Sequence, residues 1–316
     1  MTRTAFVFPG QGSECAGLGR ELLALRPDLA DTYYRTADDL LGIPLARICR
    51  DGSPRDFEDP AVAQPAVFLT SLAVLEVLRG EGLEPDAVAG HSLGEYAALV
   101  AAGVLEWTEA LWLVRLRAEL VATAGDRIGS ATVAVIGPPR SDLVRLCAEA
   151  RAATGQVVEV AGDNEPRQTV VSGQAAAVER VAREAGAAGA RVERLRTGGP
   201  FHSSLLGEAE AEFTETLIAT EFRDPAVPLV SGVTGGWVTT AAEAAVTLRG
   251  QLTSPVRWTE AVATLAASGV DRYVEVGPGR VLSGLVSRIL PGARVHPTST
   301  ADRLLGAVGA LTAATV

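Results

Sequence analysis

The chain contains no lysine, so arginine supplies all 28 basic side chains among its 316 residues. Acidic residues number 38, which gives a formal net charge of -10 at pH 7, and no long run of one charge sign occurs. Because nucleic-acid binding depends on basic surface, we expect no nucleic-acid partner. The hydrophobic share of 47% predicts one large folded domain, or a large domain that carries a smaller one.

Cysteine is also scarce, and Cys15, Cys49 and Cys147 lie far apart. This spacing suits neither a metal site nor a disulfide framework, so we expect reduced thiols, a cytoplasmic location and no metal or cofactor. The chain opens on a strand-like run at residues 4–9 rather than on a signal peptide. We find no apolar stretch long enough to span a membrane, and therefore expect no membrane partner.

The first part of the chain alternates between strand and helix patterns. Buried-strand patterns at residues 5–9 and 87–89 each lead into a glycine-containing turn and then a helical pattern. An alanine- and leucine-rich helix is predicted between them, at residues 64–79. Further strand candidates follow near the C-terminus, at residues 227–231 and 272–276. This alternation is typical of an α/β fold with a parallel sheet.

The middle of the chain has a different order of elements. Strand and helix patterns follow in the order β-α-β-β-α-β, at residues 132–136, 141–153, 157–161, 169–172, 175–187 and 191–195. That order matches a ferredoxin-like unit. We therefore predict a large domain formed by residues 1–127 and 198–316, with residues 128–197 inserted as a ferredoxin-like small domain.

A candidate nucleophile lies at the second of these strand–turn–helix units. The segment Gly90-His91-Ser92-Leu93-Gly94 fits G-x-S-x-G between a predicted strand and a predicted helix. The glycines allow a sharp turn, which lifts the Ser92 hydroxyl to the carboxyl edge of the sheet. The N–H groups at the start of the helix could stabilise an oxyanion. An exposed serine in a glycine-rich turn is the simpler alternative, and the order of the three elements argues against it.

A serine nucleophile needs a base, and the chain has three histidines. His91 adjoins Ser92, so we expect its side chain to point away and interpret it as structural. His296 lies in a polar C-terminal stretch and is expected at the surface. His202, in the loop after the small domain, is the best base by elimination. No acidic residue stands out as its partner, so the sequence favours a Ser–His dyad with a backbone carbonyl orienting the imidazole.

One arginine lies where apolar residues are expected. Residues 108–123 have a helical pattern with an apolar stripe of Leu113, Val114, Leu120 and Val121. Arg117 falls on this stripe, whereas Arg115 falls off it, on the side of Glu119. A buried arginine needs a partner. The partner is either a core carboxylate, or a substrate carboxylate gripped by two hydrogen bonds.

Taken together, these residues resemble the malonyl-CoA:acyl carrier protein transacylase family, which includes the acyltransferase domains of polyketide synthases. Besides Arg117, five motifs carry the resemblance: Phe8-Pro9-Gly10-Gln11-Gly12, Gln64-Pro65-Ala66, Gly90-His91-Ser92-Leu93-Gly94-Glu95, Phe201-His202-Ser203 and Val274-Glu275-Val276-Gly277-Pro278-Gly279. Each motif alone is a weak signal, but together they cover residues 4–297. The resemblance implies an α/β-hydrolase-like large domain with a ferredoxin-like insertion, in agreement with the order of patterns above.

The resemblance also implies a ping-pong reaction. An acyl group passes from coenzyme A to Ser92, with His202 as base, and then to the phosphopantetheine thiol of an acyl carrier protein. Gln251 resembles the residue whose carbonyl holds the histidine. The backbone of Gln11 and the N–H of Leu93 resemble the oxyanion hole.

Substrate recognition is implied in the same way. Arg117 resembles the arginine that grips the malonyl carboxylate, and Gln64 a glutamine near the active site. Phe201 favours malonyl, because in polyketide synthase domains serine at this position accompanies methylmalonyl.

Other positions depart from the family pattern. Val121 and Thr132 stand where the family commonly has methionine, and Gly162, near Asn164, replaces an asparagine close to the acyl chain. Smaller residues at these positions would widen the pocket, so a larger acyl group stays an alternative to malonyl.

The second substrate in this family is an acidic protein. Arg191, Arg194 and Arg196, just before the catalytic loop, are candidates to bind it, with an ordinary solvated strand edge as the alternative. A monomer is the plain expectation.

Three rival functions stay open: a hydrolase that clears acyl groups from carrier proteins, a shuttle between two carrier proteins, and a docking module without catalysis. Arg117 argues against the first, and the presence of Ser92 and His202 argues against the third. The sequence does not decide between fatty-acid and polyketide synthesis.

Overall fold

The computed structural model describes residues 3–13, 18–195 and 199–313. Its strands are β1 Arg3–Phe8, β2 Ala87–Gly90, β3 Ser130–Ile136, β4 Val158–Glu165, β5 Gln168–Gln174, β6 Arg191–Arg194, β7 Leu229–Val230, β8 Trp237–Val238, β9 Val270–Glu275 and β10 Arg294–Pro297. Its α-helices are α1 Leu18–Leu25, α2 Thr36–Leu41, α3 Leu45–Asp51, α4 Pro60–Gly80, α5 Gly94–Ala101, α6 Trp107–Ile128, α7 Arg140–Thr154, α8 Ala175–Ala187, α9 Gly207–Ala219, α10 Ala241–Arg249, α11 Trp258–Ala267, α12 Val281–Ile289 and α13 Ala301–Thr312. Short π and 3₁₀ segments occur at Ala30–Arg35, Pro54–Phe57 and Ser204–Leu206.

The larger sheet has six strands in the order β10-β9-β1-β2-β7-β8. Its pairs are parallel, except that β8 runs antiparallel to β7. Alternate residues of β1 supply two apolar clusters: Phe6 and Phe8 pack in one, Ala5 and Val7 in the other. Because neighbouring side chains of a strand point to opposite faces, helices cover both faces of this sheet. The predicted α/β class with a parallel sheet is confirmed.

The smaller sheet has four strands in the order β4-β5-β3-β6, and every pair is antiparallel. Helices α7 and α8 pack on it around a separate apolar cluster that includes Val133, Val171 and Val181. The chain order of these elements is strand, helix, strand, strand, helix, strand, as the sequence predicts. A parallel bridge between Gly162 and Val256 joins β4 to the segment before α11.

Helix α4 is long and strongly apolar. It has 21 residues and a mean hydropathy of 1.8 in its most apolar window, enough by length and composition to cross a membrane. However, 89% of that window is buried inside the protein, where Phe68 and Leu72 belong to the main apolar cluster. This burial identifies α4 as a core helix of the fold. A helix packed on all sides in a core has the same composition as a spanning one.

Candidate active site

The turn between β2 and α5 has strained geometry. Ser92 has a φ of 54°, in the left-handed region that residues other than glycine rarely adopt. A Cβ atom on Gly94 would lie 2.0 Å from the carbonyl oxygen of Phe8, and one on Gly90 would lie 2.2 Å from the amide nitrogen of Glu95. Only glycine fits at both positions, and α5 begins at Gly94, two residues later than the sequence suggested.

Ser92 and His202 lie in direct contact across 110 positions of sequence. The Ser92 Oγ atom is 2.7 Å from Nε2 of His202, while Nδ1 is 3.0 Å from the carbonyl oxygens of Gln251 and Ser254. Carbonyl oxygens only accept, so Nδ1 carries the proton and Nε2 is free to accept one from Ser92. Among the described residues no carboxylate forms an ion pair with His202. The sequence did not indicate Ser254.

The environment of His202 keeps its imidazole neutral. The side chain is buried, and this burial lowers the pKa of His202 to about 3. The positive charge of Arg117 acts in the same direction. A neutral imidazole with a free Nε2 lone pair is the form that a general base requires.

Arg117 points at the nucleophile. It is 1% exposed, and its Nη2 donates to Oγ of Ser92 at 2.9 Å. Its Nη1 and Nε donate to side-chain oxygens of Gln64 and Gln251, at 2.7 and 3.2 Å. No carboxylate of the described residues lies within 4.0 Å of this guanidinium, whereas Arg115 forms an ion pair with Glu119. The alternative of a structural salt bridge for Arg117 is therefore wrong.

Gln11 and Leu93 are the two residues predicted to form the oxyanion hole. Gln11 lines the cavity above the nucleophile, and its side-chain oxygen accepts from Nε2 of Gln64 at 3.1 Å. Leu93 is the residue before the first turn of α5, where amide groups have no partner within the helix. Backbone amides in this position can donate to an oxygen that becomes charged on Ser92.

The cavity has a volume of 350 Å³ and lies between the two sheets. Loops contribute Ser92, Phe201 and His202, and helix α6 contributes Arg117. The smaller sheet contributes Thr132, Ala134, Gly162, Asn164, Gln168 and Val170. The Phe201 ring centre is 5.0 Å from the guanidinium carbon of Arg117. The hydroxyl of Thr132 is 3.2 Å from that of Ser172. A Cβ atom on Gly162 would meet only ordinary contacts, so the missing side chain there leaves space in the cavity.

His91 lines the same cavity as Ser92, which the sequence did not indicate. Its Nε2 is 2.9 Å from Oδ1 of Asn164, whose Nδ2 donates to Gln168 at 3.1 Å. The Oδ1 atom must therefore accept from His91. Burial lowers the pKa of His91. His296, expected at the surface, is half-buried in β10.

Val121 does not lie at the cavity. It is fully buried in the main apolar cluster, and a Cβ atom on Gly199 would lie 2.6 Å from its Cγ1. Val121 therefore packs beneath the chain that leads to His202, one helical turn beyond Arg117. The sequence pattern predicted Val121 beside the substrate, because the position of a residue on a helix does not show which other segment packs against it.

Arg191 and Arg194 are both exposed, and they lie on opposite faces of β6. Neighbouring side chains of a strand face opposite ways, and Arg194 is bound by Glu179 of α8, with Nη2 and Oε2 2.5 Å apart. Arg191 pairs with Glu193, which lines the cavity. The two arginines therefore do not share one open surface. Arg196 lies outside the described residues.

A serine and a neutral histidine at a strand–helix turn of a parallel sheet define an enzyme that forms an acyl-serine. Residues 5–301 match the family described as acyl transferase domain. The malonyl CoA-acyl carrier protein transacylase of Bacillus subtilis is 39% identical over 292 residues, which are 92% of this chain and 91% of that protein. The chain therefore belongs to the malonyl-CoA:acyl carrier protein transacylase family and is an acyltransferase.

Solved structures agree over nearly the whole length. FabD from Acinetobacter baumannii superposes with a TM-score of 0.93 at 34% identity, covering 99% of both chains. PlMCAT, a malonyl-transacylase solved in complex with the type II polyketide synthase acyl carrier protein AntF, has a TM-score of 0.93 at 34% identity. That match covers 98% of this chain and 100% of the other.

Proposed function

We propose that this enzyme transfers a malonyl group from coenzyme A, through Ser92, to the phosphopantetheine thiol of an acyl carrier protein. The observation that carries the proposal is the guanidinium of Arg117, which is buried, touches Oγ of Ser92 and has no carboxylate partner among the described residues. A substrate carboxylate would supply the missing negative charge. Relatives that are named for malonyl transfer to acyl carrier protein support the same substrate pair.

The first half-reaction acylates the enzyme. His202 Nε2 takes the proton as Ser92 Oγ attacks the thioester carbon, and the amides of Gln11 and Leu93 stabilise the oxyanion. The carbon–sulfur bond then breaks, and the coenzyme A thiolate leaves with the proton from His202. In the second half-reaction the carrier thiol gives its proton to His202 and attacks the acyl carbon. The carbon–oxygen bond breaks, and the proton returns to Ser92.

The side chains around the cavity have two roles: some orient the acyl group, and others limit the space around it. Arg117 and Gln64 orient the malonyl carboxylate, and Phe201 limits the space beside its α-carbon. Thr132 and Asn164 contribute polar wall on the opposite side.

We assign residues 128–197 to a ferredoxin-like small domain inserted into an α/β-hydrolase-like large domain, residues 1–127 and 198–316. Its support is the strand order β4-β5-β3-β6 with two helices on the sheet, beside a mainly parallel six-stranded sheet. The cytoplasmic location and monomeric state stay predictions.

The rival functions lack comparable support. A hydrolase acting on simple acyl chains has no use for a buried guanidinium at its nucleophile. The space left by Gly162 would suit a larger acyl group, but the relatives are named for malonyl.

The test is intact-mass analysis after mixing the protein with malonyl-, methylmalonyl- or acetyl-CoA. We expect a malonyl adduct that is absent from Ser92→Ala and exceeds the acetyl adduct. The absence of any adduct from all three thioesters would overturn the proposal.

A further inference from the structure

Gln251 contacts both the catalytic histidine and the arginine beside the nucleophile. It is 1% exposed, and its backbone carbonyl accepts from Nδ1 of His202 at 3.0 Å. Its side-chain Oε1 accepts from Nε of Arg117 at 3.2 Å, and its Nε2 donates to the carbonyl oxygen of Ser92 at 3.1 Å. The orientation of this one amide therefore affects the direction of the arginine beside the nucleophile.

Glu95 contacts the same amide. Its Oε2 accepts from Nε2 of Gln251 at 2.8 Å. A guanidinium only donates and a carboxylate only accepts, so a single orientation of the Gln251 amide satisfies both neighbours. The reversed amide would direct its oxygen at the carboxylate and its N–H groups at Arg117. Glu95 is 3% exposed and is itself fixed, because its Oε1 accepts from Oγ of Ser231 at 2.6 Å.

Glu95 lies near Arg117 without forming an ion pair with it. Burial raises the pKa of Glu95, while the hydrogen bonds from Ser231 and Gln251 and the charge of Arg117 favour its ionised form. Burial lowers the pKa of Arg117, and the nearby carboxyl group of Glu95 opposes that effect. A carboxylate in direct contact would occupy N–H groups that a substrate carboxylate needs. A carboxylate one amide away stabilises the guanidinium and leaves those groups free to bind a ligand.

We propose that Glu95 is a positioning residue for acyl-group recognition: it fixes the Gln251 amide and thereby directs Arg117, which has no ion-pair partner among the described residues, at the carboxylate of the acyl group. This inference rests on the proposed malonyl transfer. It assigns to Glu95 an effect on the choice between acyl groups rather than on the attack of Ser92 in general.

The test compares Glu95→Gln, Glu95→Asp and the parent in acylation by malonyl-CoA and by acetyl-CoA. We expect Glu95→Gln to lower the ratio of malonyl to acetyl kcat/KM by about tenfold, since a charge-assisted hydrogen bond is lost. Glu95→Asp keeps the charge and should restore part of the ratio, leaving it about threefold below the parent. Glu221→Gln, at an exposed glutamate on another surface, should leave both rates unchanged.

Other results for the Glu95 variants would contradict the inference or the proposed function. A ratio in Glu95→Gln within twofold of the parent, or equal loss of both rates, would overturn the inference while leaving malonyl transfer intact. If Glu95→Gln fails to fold, the test uses Glu95→Asp instead. A malonyl-to-acetyl kcat/KM ratio in Glu95→Asp equal to that of the parent would then overturn the inference. A parent protein that forms no malonyl-serine would overturn the proposed function as well.

Discussion

At the scale of single residues, two arginines that are two positions apart on α6 have different roles. Arg115 donates to the carbonyl of Ala61 and pairs with Glu119, while Arg117 turns inward to Ser92. Their sequence positions relative to the apolar stripe predicted this difference. The sequence could not show that no carboxylate of the described residues forms an ion pair with Arg117, because that depends on how distant segments pack together.

Replacing Arg117 should remove the preference for malonyl. We expect Arg117→Ala to lower malonyl kcat/KM by at least about 30-fold, because the substrate carboxylate would lose its buried counter-charge. Acetyl kcat/KM should fall less, since acetyl has no carboxylate to bind. Steady-state kinetics with both thioesters gives the ratio, and Arg115→Ala is the matched control. An equal loss for both thioesters in Arg117→Ala would contradict a role in carboxylate binding.

The rate of Ser92 acylation should not fall at mildly acidic pH. Burial and the charge of Arg117 lower the pKa of His202 to about 3, so the neutral, basic form of the imidazole persists well below its ordinary pKa. We expect the rate constant for Ser92 acylation, from quenched-flow mass analysis, to stay level from about pH 8 to about pH 5. In Arg117→Ala the pKa of His202 should rise. An inflection near pH 6.5 in the parent would contradict this environment.

At the scale of secondary-structure elements, the strand–turn–helix unit carries the nucleophile. The glycines of the G-x-S-x-G motif predicted the turn, because the close approach of Gly94 to β1 leaves no room for a side chain. The position of His91 was not predictable in the same way. It lies at the cavity because β4 of the inserted sheet covers that side of the turn and brings Asn164 to it.

The turn should therefore be intolerant of a single methyl group. We expect Gly94→Ala to lower the free energy of unfolding by about 3 kcal/mol and to abolish acylation, since its Cβ would lie 2.0 Å from the Phe8 carbonyl. Gly306→Ala, exposed on α13 with no atom near its Cβ, should instead raise stability by up to about 1 kcal/mol. Urea unfolding measures both. A Gly94→Ala protein with parental stability and activity would contradict the packing described.

At the scale of the whole molecule, the order of elements was predictable and their mutual placement was not. Periodicity and glycine positions are local signals, so the strands and helices of both sheets could be expected from the sequence. Ser254 beside His202, and the opposite directions of Arg191 and Arg194, depend on loops and register that bring distant segments together. The family resemblance supplied Gln251, but not the contact of its side chain with Glu95.

The reactivity of two buried cysteine thiols can show whether the two apolar clusters are packed as described. Cys49 is buried in the main cluster and Cys147 in that of the smaller sheet, and burial raises the pKa of each thiol to about 12. We expect both to resist a thiol reagent in native buffer and to react after unfolding. Peptide mapping after labelling distinguishes them from Cys15. Rapid native labelling at either position would contradict the packing of its cluster.

The most direct test of the central claim follows the second half-reaction. Isolated malonyl-enzyme would be mixed with a phosphopantetheinylated acyl carrier protein, with the same carrier lacking its phosphopantetheine, or with buffer alone. We predict that the malonyl mass leaves Ser92 and appears on the phosphopantetheinylated carrier much faster than it is lost in either control. Loss at the same rate in all three mixtures, with no malonyl-carrier formed, would contradict transfer and indicate hydrolysis.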